Sequence, residues 1–389
     1  MTFPAYAPDL FDSDGIENPY PHYAAIRDLG PVVDLTASNV LAVGRFADVK
    51  RALLRHQEFI SGEGVAISDM VNQVARGVTL TSDPPLHQKL RAVIGAPLSQ
   101  EAMVDLREQI QQAADDLIDR LVARGSFDGV RDLAQYLPVS IVSNLVGLPE
   151  EGRERMLDWA AAGFDALGPV NGRLQAAMPM MGQQFEYVAK HAGPSQVKPG
   201  SWAARVYAAA DQGLIERERA PTLLFDYLGP SLDTTISATG HLLYLLARHP
   251  EQWQMLREDP SLIPAAIDEA VRLESPIRGF TRVAANDCEI GGVAVPAGSR
   301  LLMLYASANR DERKWDDPDR FDIRRTNVSD QIGFGIGRHV CAGQHLARLE
   351  MRCLMQAMVT RIDRFEAGEP VIQPNNILRA YSSLPVTVQ

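Results

Sequence analysis

The sequence predicts a mainly α protein with a minor β portion, built as one domain across residues 1–389. Three observations predict it. "EAMVDLREQIQQAADDLIDRLVARG" repeats Met103, Leu106, Ile110, Leu117 and Leu121 at helical spacing and stops at Gly125. "APTLLFDYLGPSLDTTISATGHLLYLLARHP" is apolar nearly all round, as a helix crossing a core must be. Strand-like alternation with turn residues is confined to "PVVDLTASNVLAVG" and "CEIGGVAVPAGSRLLMLY". Length alone favours about two or three domains. No Ser/Gly linker, low-complexity tract, internal repeat or like-charge block offers a place to divide the chain.

In chain order, "PVVDLTASNVLAVG" reads as two strands around a Ser-Asn turn, and "FADVKRALLRH" as a short helix. A further helix enters after Pro85 in "DPPLHQKLR". The central apolar stretch, if helical throughout, is roughly thirty residues long and about 45 Å at ~1.5 Å per residue. Pro230 should kink it, because proline cannot donate to the carbonyl of Asp226 and its ring presses on that turn. Gly229 relieves part of the clash. "SLIPAAIDEAVRLESP" is another helix, stopped by Ser275-Pro276. A final helix, "QHLARLEMRCLMQAMVTRI", follows directly on "FGIGRHVCAG", which spends three of ten positions on glycine.

A net charge of −11 disfavours a general nucleic-acid binder. No apolar run approaches the length of a membrane span, and the N-terminal residues lack a secretory apolar core. Cys288, Cys341 and Cys353 are odd in number and without framework spacing, so a reducing cytoplasm is expected.

Cys341 stands in the glycine-rich loop with His339 two residues before it. It can be read as a small buried hydrophobe, as a nucleophile with His339 as base, or as a thiolate ligand. Spacing favours the ligand. Zinc would want further Cys or His ligands, and neither Cys288 nor Cys353 forms a CxxC pair with Cys341. A haem needs one thiolate, since the macrocycle supplies the four equatorial ligands. The following helix aims free N–H groups and its positive dipole end at the sulfur, which should lower its pKa. Glycines 335, 337 and 343 should let backbone approach a flat ring.

These residues resemble the cytochromes P450. "FGIGRHVCAGQHLARLE" fits that family's haem loop, F-G-x-G-x-H-x-C-x-G-x-x-L-A-R-x-E, at every fixed position. The resemblance implies the P450 fold, with haem b between the long central helix and the cysteine-loop helix. It implies Cys341 as axial iron ligand, with Phe334, Gly335 and Gly343 in the haem loop. Other family motifs follow in order. "EAVR" supplies Glu269 and Arg272 for the locking pair, and "PDRF" offers Arg320 as third member, with Arg324 and Arg325 close by. His87 and Arg91, four apart, match the motif that holds haem propionates, and Arg282 and His339 would complete the clamp. "PSLDT" supplies Asp233 and Thr234, the acid and alcohol that deliver protons to bound oxygen. Pro230 and Ser231 depart from the family's small pair. They make the expected groove either by a different route or as an altered oxygen pocket in which Ser231 offers a hydroxyl to water.

"SGEGVAISD", "AGFDALGPVNGR", "ESPIRGFTR" and "NNILRAYSSLPV" resemble bacterial members acting on small aromatics, including para-methoxybenzoate demethylases. The resemblance implies a pocket of Val65, Ile67, Phe164, Leu167, Phe225, Asp226, Phe280 and the Ala380-Tyr381 turn, apolar as small-ligand pockets usually are. Where benzoate users carry arginine and serine, this chain has Glu63, Phe225 and Asp226. Anions there would repel a carboxylate. The expected substrate is therefore a small neutral phenolic, its hydroxyl meeting a carboxylate or Ser68, with O-demethylation of a guaiacol-type methoxyarene as the specific reaction. Hydroxylation of another small apolar compound, a peroxygenase, a non-catalytic haem sensor and a nucleophilic cysteine enzyme are the alternatives.

The chain has no cluster-binding cysteine set and no nucleotide-binding glycine fingerprint. Electrons should thus arrive from separate proteins, and the family resemblance implies that these are a ferredoxin and its reductase drawing on NAD(P)H. Lys89, Arg91, Arg338, Arg348 and Arg352 form the expected basic docking patch. By the same resemblance the protein should act as a cytoplasmic monomer.

Overall fold

Helices dominate the computed structural model, which describes residues 2–389. The longer ones are α1 (Tyr20–Leu29), α2 (Phe46–Leu54), α3 (Leu86–Gly95), α4 (Gln100–Arg124), α5 (Met156–Ala166), α6 (Gly172–His191), α7 (Trp202–Asp211), α8 (Asp233–Arg248), α9 (Pro250–Glu258), α10 (Ile263–Leu273) and α11 (Gln344–Arg361). Each expected helix can be traced to its cause. In α4, Met103, Ile110, Leu117 and Leu121 are buried, the Ser99 hydroxyl accepts the Ala102 N–H, and Gly125 ends the run at φ +74°. A left-handed φ favours a residue without Cβ, so glycine is the natural stop. The buried stripe of α4 lies along α11, which begins three residues after Cys341.

The strands are β1 (Ala5–Tyr6), β2 (Val33–Leu35), β3 (Val40–Val43), β4 (Phe59–Ile60), β5 (Ser126–Asp128), β6 (Phe280–Ala284), β7 (Cys288–Ile290), β8 (Val293–Val295), β9 (Arg300–Met303), β10 (Phe365–Ala367), β11 (Val371–Gln373), β12 (Ala380–Ser383) and β13 (Pro385–Val388). The main sheet runs β1-β2-β3-β9-β6-β4. β2 and β3 pair antiparallel around the Ser-Asn turn, where Asn39 takes φ 51°. β9 lies parallel to β3, in register Leu41↔Leu301, and antiparallel to β6. This pairing joins two regions of chain far apart in sequence and carries Phe280 and Arg282, both on β6, toward the centre.

Two apolar clusters divide the interior. One is helical, built from α3, α4, α8, α10 and α11; the other lines the main sheet. Phe334 packs against the helical cluster and Ile336 against the sheet cluster. The cysteine loop therefore sits where they meet.

The central stretch is not one helix. It forms short turns at Ala220–Leu223 and Phe225–Leu228, then breaks before α8 starts at Asp233. Pro230 is the cause. The Gly229 N–H reaches the Phe225 carbonyl at only 3.5 Å, and Leu232 leaves ideal helical angles at φ −102°, ψ −74°. Proline leaves the turn before it without a donor, so the expected kink becomes a full interruption.

Candidate active site

The loop before α11 is shaped by two glycines. Gly335 and Gly337 take φ +69° and +75°, and a Cβ on Gly337 would stand 3.0 Å from the Leu53 carbonyl. Left-handed backbone there folds the loop back so that the Cys341 N–H donates to the Phe334 carbonyl at 2.8 Å. Gly343 has φ −87°, and among the described residues no atom comes within 4 Å of the place of a Cβ, so open space lies beside it. Nothing within the chain demands glycine there.

Cys341 has an exposed side chain, yet surrounding protein is dense enough that burial pushes its thiol up. Both hold for a sulfur facing an internal cleft. The N–H groups of Gly343 and Gln344 and the cations Arg91 and Arg348 pull the other way. The helix mouth was expected to lower this pKa; burial outweighs it. Among the described residues no group of three or more His, Cys, Asp or Glu could hold a metal ion. Zinc held by protein ligands alone is thereby disfavoured.

Facing the same region is an unusual set of donors. The His87 and His339 rings lie 4.3 Å apart, edge to face. Both ring nitrogens of His87, Nε2 of His339 and Nε of Arg338 are buried with no partner among the described residues. Burial first, then Arg91 and Arg338, push the His87 ring down to about 4. Burial first, then Arg282 and His87, push the His339 ring down to about 2. Arg282 is buried and donates to the Thr281 carbonyl at 2.7 Å. Crowded cationic and polar donors are costly to bury unless anionic oxygens meet them. A group bearing two carboxylates would meet them.

Glu269 and Arg272 are wholly buried on α10 and pair at 2.7 Å and 2.9 Å, two parallel bonds. Of Arg320, Arg324 and Arg325, the third arginine is Arg325 rather than the Arg320 of the motif. Its Nε donates to both Glu269 oxygens, at 3.0 Å and 3.2 Å. Arg320 contributes its carbonyl, which accepts from Arg272 at 3.2 Å and from Arg325 at 3.1 Å. The residues after Phe321 turn back toward α10, so the reach to Glu269 falls to the later arginine. A carboxylate so deep needs more than one cation to offset its desolvation.

At the broken helix, hydroxyls repair the backbone. Ser231 Oγ donates to the Tyr227 carbonyl, and Thr234 Oγ1 donates to the Pro230 carbonyl at 2.8 Å. Ser231 and Thr234 each spend the hydroxyl proton on the helix and keep their lone pairs, so Ser231 both repairs the turn and retains an acceptor for water. Asp233 is buried, and its Oδ2 has no partner among the described residues. Burial first, then Asp158, push its carboxyl up to about 8.

The comparisons with known proteins agree with this geometry. The family model for cytochrome P450 matches residues 208–379. Cytochrome p450 CYP199A2 of Rhodopseudomonas palustris is 40% identical over 383 residues, covering 97% of this chain and 93% of the relative. Such identity over nearly all of both chains is decisive. The chain is a cytochrome P450 monooxygenase. Nocardicin C N-oxygenase of Nocardia uniformis is 31% identical, with 95% of each chain covered. A solved structure, cytochrome P450 CREJ in complex with (4-ethylphenyl) dihydrogen phosphate, superposes with TM-score 0.87 at 25% identity, covering 98% and 99% of the chains. Like its family, this P450 binds haem b through a cysteine thiolate. The residues fit it: one thiol, with His87, His339 and Arg338 offering buried ring or guanidinium nitrogens that have no partner among the described residues. No helix of the described residues is long and apolar enough to cross a membrane.

Only part of the expected pocket of the P450 comes together. Ile67, Phe164, Leu167 and Phe280 share the sheet-side cluster with Ile377 and Leu378, while Val65 is buried and its carbonyl accepts the Thr281 N–H at 2.9 Å. Tyr381 does not join them. The turn lies earlier, and Ala380–Ser383 is the strand β12, whose Tyr381 ring packs on Gly240, His241 and Tyr244 of α8. Phe225 meets Phe185 of α6 at 4.7 Å. Glu63 also departs from expectation, being exposed and paired with Arg76 at 3.3 Å; it cannot repel a bound carboxylate. Asp226 accepts the Thr79 N–H at 3.0 Å, and burial pushes its carboxyl up to about 6 against the pull of Thr79 and Arg91. The Ser68 hydroxyl is buried with no partner among the described residues.

The expected basic patch disperses as well. Arg348 pairs with Asp268 at 2.9 Å, and Arg338 buries its Nε. Arg352 instead joins Arg107 and His345 along a groove of about 440 Å³ between α4 and α11, whose lining holds no carboxylate. Sequence reasoning missed Arg107 and His345; neither lies in a motif, and only their faces on two packed helices bring them together.

Proposed function

We propose that this P450 oxidises a small neutral aromatic carrying a hydroxyl, and specifically that it O-demethylates a methoxyphenol of the guaiacol type. The observation carrying the reading is Ser68: a buried hydroxyl without a partner among the described residues, on the loop that supplies Val65 and Ile67. A buried polar group lacking a partner costs about 1–3 kcal/mol, so a ligand hydroxyl meeting it is favoured. Asp226 adds an acceptor where benzoate-using relatives resemble each other in carrying arginine or serine. The (4-ethylphenyl) dihydrogen phosphate bound by CREJ is in keeping with a small aromatic.

When bound through Cys341, the haem supplies the oxygen-activating chemistry, with the thiolate favouring O–O cleavage. His87, Arg91, Arg282 and His339 would hold its propionates, and Phe334 and Gly335 would shape the loop that carries Cys341. Gly343 belongs to that loop by motif. Asp233, neutral at pH 7, holds a proton on a carboxyl oxygen and passes it toward the Thr234 hydroxyl. Thr234 keeps its lone pairs free while donating to Pro230. Glu269, Arg272 and Arg325 fix the structure beneath. Phe164, Leu167 and Phe280 exclude water and orient the ring, and Ser68 sets which end enters first.

The balance for demethylation is one methoxyarene, O2, two electrons and two protons, giving a phenol, formaldehyde and water. One oxygen enters the methyl carbon; the resulting hemiacetal breaks its carbon–oxygen bond to release formaldehyde. Electrons come from NAD(P)H through a reductase and a ferredoxin, whose acidic face suits the carboxylate-free groove of Arg107, His345 and Arg352. All 389 residues would act as one catalytic domain, monomeric and cytoplasmic. Screening alkylphenols, methoxyphenols and benzoates for a high-spin shift and for formaldehyde tests the substrate. Tight binding confined to benzoates overturns it. Turnover with peroxide but without reductase favours the peroxygenase.

A further inference from the structure

The C-terminal turn before β12 contains two consecutive asparagines, Asn375 and Asn376, buried at 1% and 0% exposure. Nothing in the haem chemistry uses them. Both are amides, each with two donors and an acceptor oxygen that must be met when water is excluded.

Asn376 meets every one of these needs across the connection between α5 and α6. Its Oδ1 accepts from Asn171 Nδ2 at 2.8 Å and from Arg173 Nε at 3.1 Å. Its Nδ2 donates to the Asp165 carbonyl at 2.8 Å and to Asn171 Oδ1 at 3.2 Å. Its own N–H donates to Asp165 Oδ1 at 2.8 Å. Asn375 adds a bond from Nδ2 to the Ala161 carbonyl at 2.9 Å, while its Oδ1 accepts from Ile377 and Leu378 and so closes the turn. The connection passes directly against this turn: a Cβ on Gly168 would lie 2.5 Å from the Asn376 side chain. Glycine there is a matter of space.

The apolar hold on the connection itself is weaker than on the helices it joins: Val170 is exposed, whereas α5 buries Trp159 and Phe164 and α6 buries Tyr187 and Val188. Beneath α5 and α6 the fully buried members of the local cluster are mostly alanine, Ala66, Ala162, Ala166 and Ala177, with Val71 and Leu174 larger and Leu167, Met180 and Met181 packed against it half-buried. Small side chains bury little area and so contribute little. α6 has Pro179 within it, which costs a backbone bond. Its outer side and the connection leave Val170, Met178 and Phe185 exposed. Elements with few apolar contacts open at low free energy. Polar bonds must do what packing does not.

We infer that Asn376 is a positioning residue that holds the α5–α6 connection shut over the pocket and so sets how large a molecule enters and how long it stays. The inference rests on the reading that Phe164 and Leu167 roof that pocket. Leu167 also accepts the Ile67 N–H at 2.9 Å, so the same connection ties to the Ser68 loop. One amide thus couples the base turn, the roof and the loop bearing the polar anchor.

The test uses haem-loaded full-length protein and two probes that ligate iron directly, imidazole and the bulkier 4-phenylimidazole, followed by stopped-flow absorbance. Substrate identity does not enter. Asn376→Ala should raise the 4-phenylimidazole off-rate about tenfold, as expected for losing one or two net hydrogen bonds. Imidazole, small enough to pass a closed roof, should change by less than about twofold. Asn171→Ser keeps a helix-capping hydroxyl but loses the amide bond to Asn376, and should give an intermediate rise. It also serves where Asn376→Ala fails to yield the carbon monoxide complex of intact protein. Phe164→Ala tests the pocket itself. If Phe164→Ala leaves 4-phenylimidazole binding unchanged, the pocket reading falls. If Phe164→Ala alters it while neither asparagine variant moves either rate, the inference about Asn376 is overturned. An equal rise for both probes also overturns it, because a general loosening would not select by size.

Discussion

Replacing Asp233 with asparagine should stabilise this P450 in a pH-dependent way while impairing it as a catalyst. The carboxyl is buried, its Oδ2 lacks a partner among the described residues, and burial with Asp158 pushes it from 3.8 up to about 8. Burial favours the neutral acid, so the folded chain binds this proton more tightly than the unfolded chain. Between the two pKa values the unfolded state carries fewer protons, and stability therefore falls as pH rises. The loss begins near the unfolded value and is complete above about pH 8. At about 1.4 kcal/mol per unit, the cost is on the order of 2 kcal/mol at pH 5 and on the order of 6 kcal/mol at pH 8.5. Asparagine does not titrate. The stability gap between Asp233→Asn and wild type should thus widen in the variant's favour by about 4 kcal/mol over that range. Guanidinium unfolding of haem-loaded protein at a series of pH values measures it. A gap constant within about 0.5 kcal/mol from pH 5 to pH 8.5 would mean that Asp233 is not held neutral by burial. Product formation should drop in the variant at every pH, and in wild type it should decline as pH passes through about 8.

Three further outcomes are expected. Arg325→Ala should destabilise by about 3 kcal/mol, since it strips a cation from wholly buried Glu269, whereas Arg320→Ala, which leaves its carbonyl in place, should stay within about 0.5 kcal/mol; equal losses in denaturant melts contradict the assignment. Thr234→Ala should raise peroxide release relative to product by several-fold at unchanged NADH consumption, and unaltered coupling removes it from proton delivery. Ser68→Ala should weaken binding of a methoxyphenol about tenfold but leave its hydroxyl-free counterpart nearly unaffected, as read by spin-shift titration; parallel losses would place the hydroxyl elsewhere.

Much of this P450 is legible in its sequence because its chemistry imposes local patterns. The cysteine loop is readable from contiguous residues, since a tight fold-back needs glycine at 335 and 337 and one sulfur at a helix mouth. The amphipathic stripe of α4 and the Ser-Asn hairpin are likewise local. What cannot be read depends on where distant segments meet. The central stretch resembles one helix because its apolar character is continuous, while the interruption comes from one missing N–H whose full effect needs the surrounding packing. Arg325 rather than Arg320 reaches Glu269 because of how the chain turns after Phe321, which spacing does not encode. Motif position draws Glu63 and Tyr381 toward the pocket; an exposed ion pair and a strand register put them elsewhere. Asn376 carries no signal beyond a turn-forming dipeptide, because its importance lies in bonds to residues some two hundred positions away.

Every role assigned to this P450 requires that the Cys341 sulfur bind haem iron as an anion. Reduced protein under carbon monoxide should show the strongly red-shifted Soret band of thiolate ligation, and Cys341→Ser should lose it together with turnover. A reduced carbon monoxide complex with an unshifted band in wild type, or an unchanged spectrum in the serine variant, would rule that ligation out.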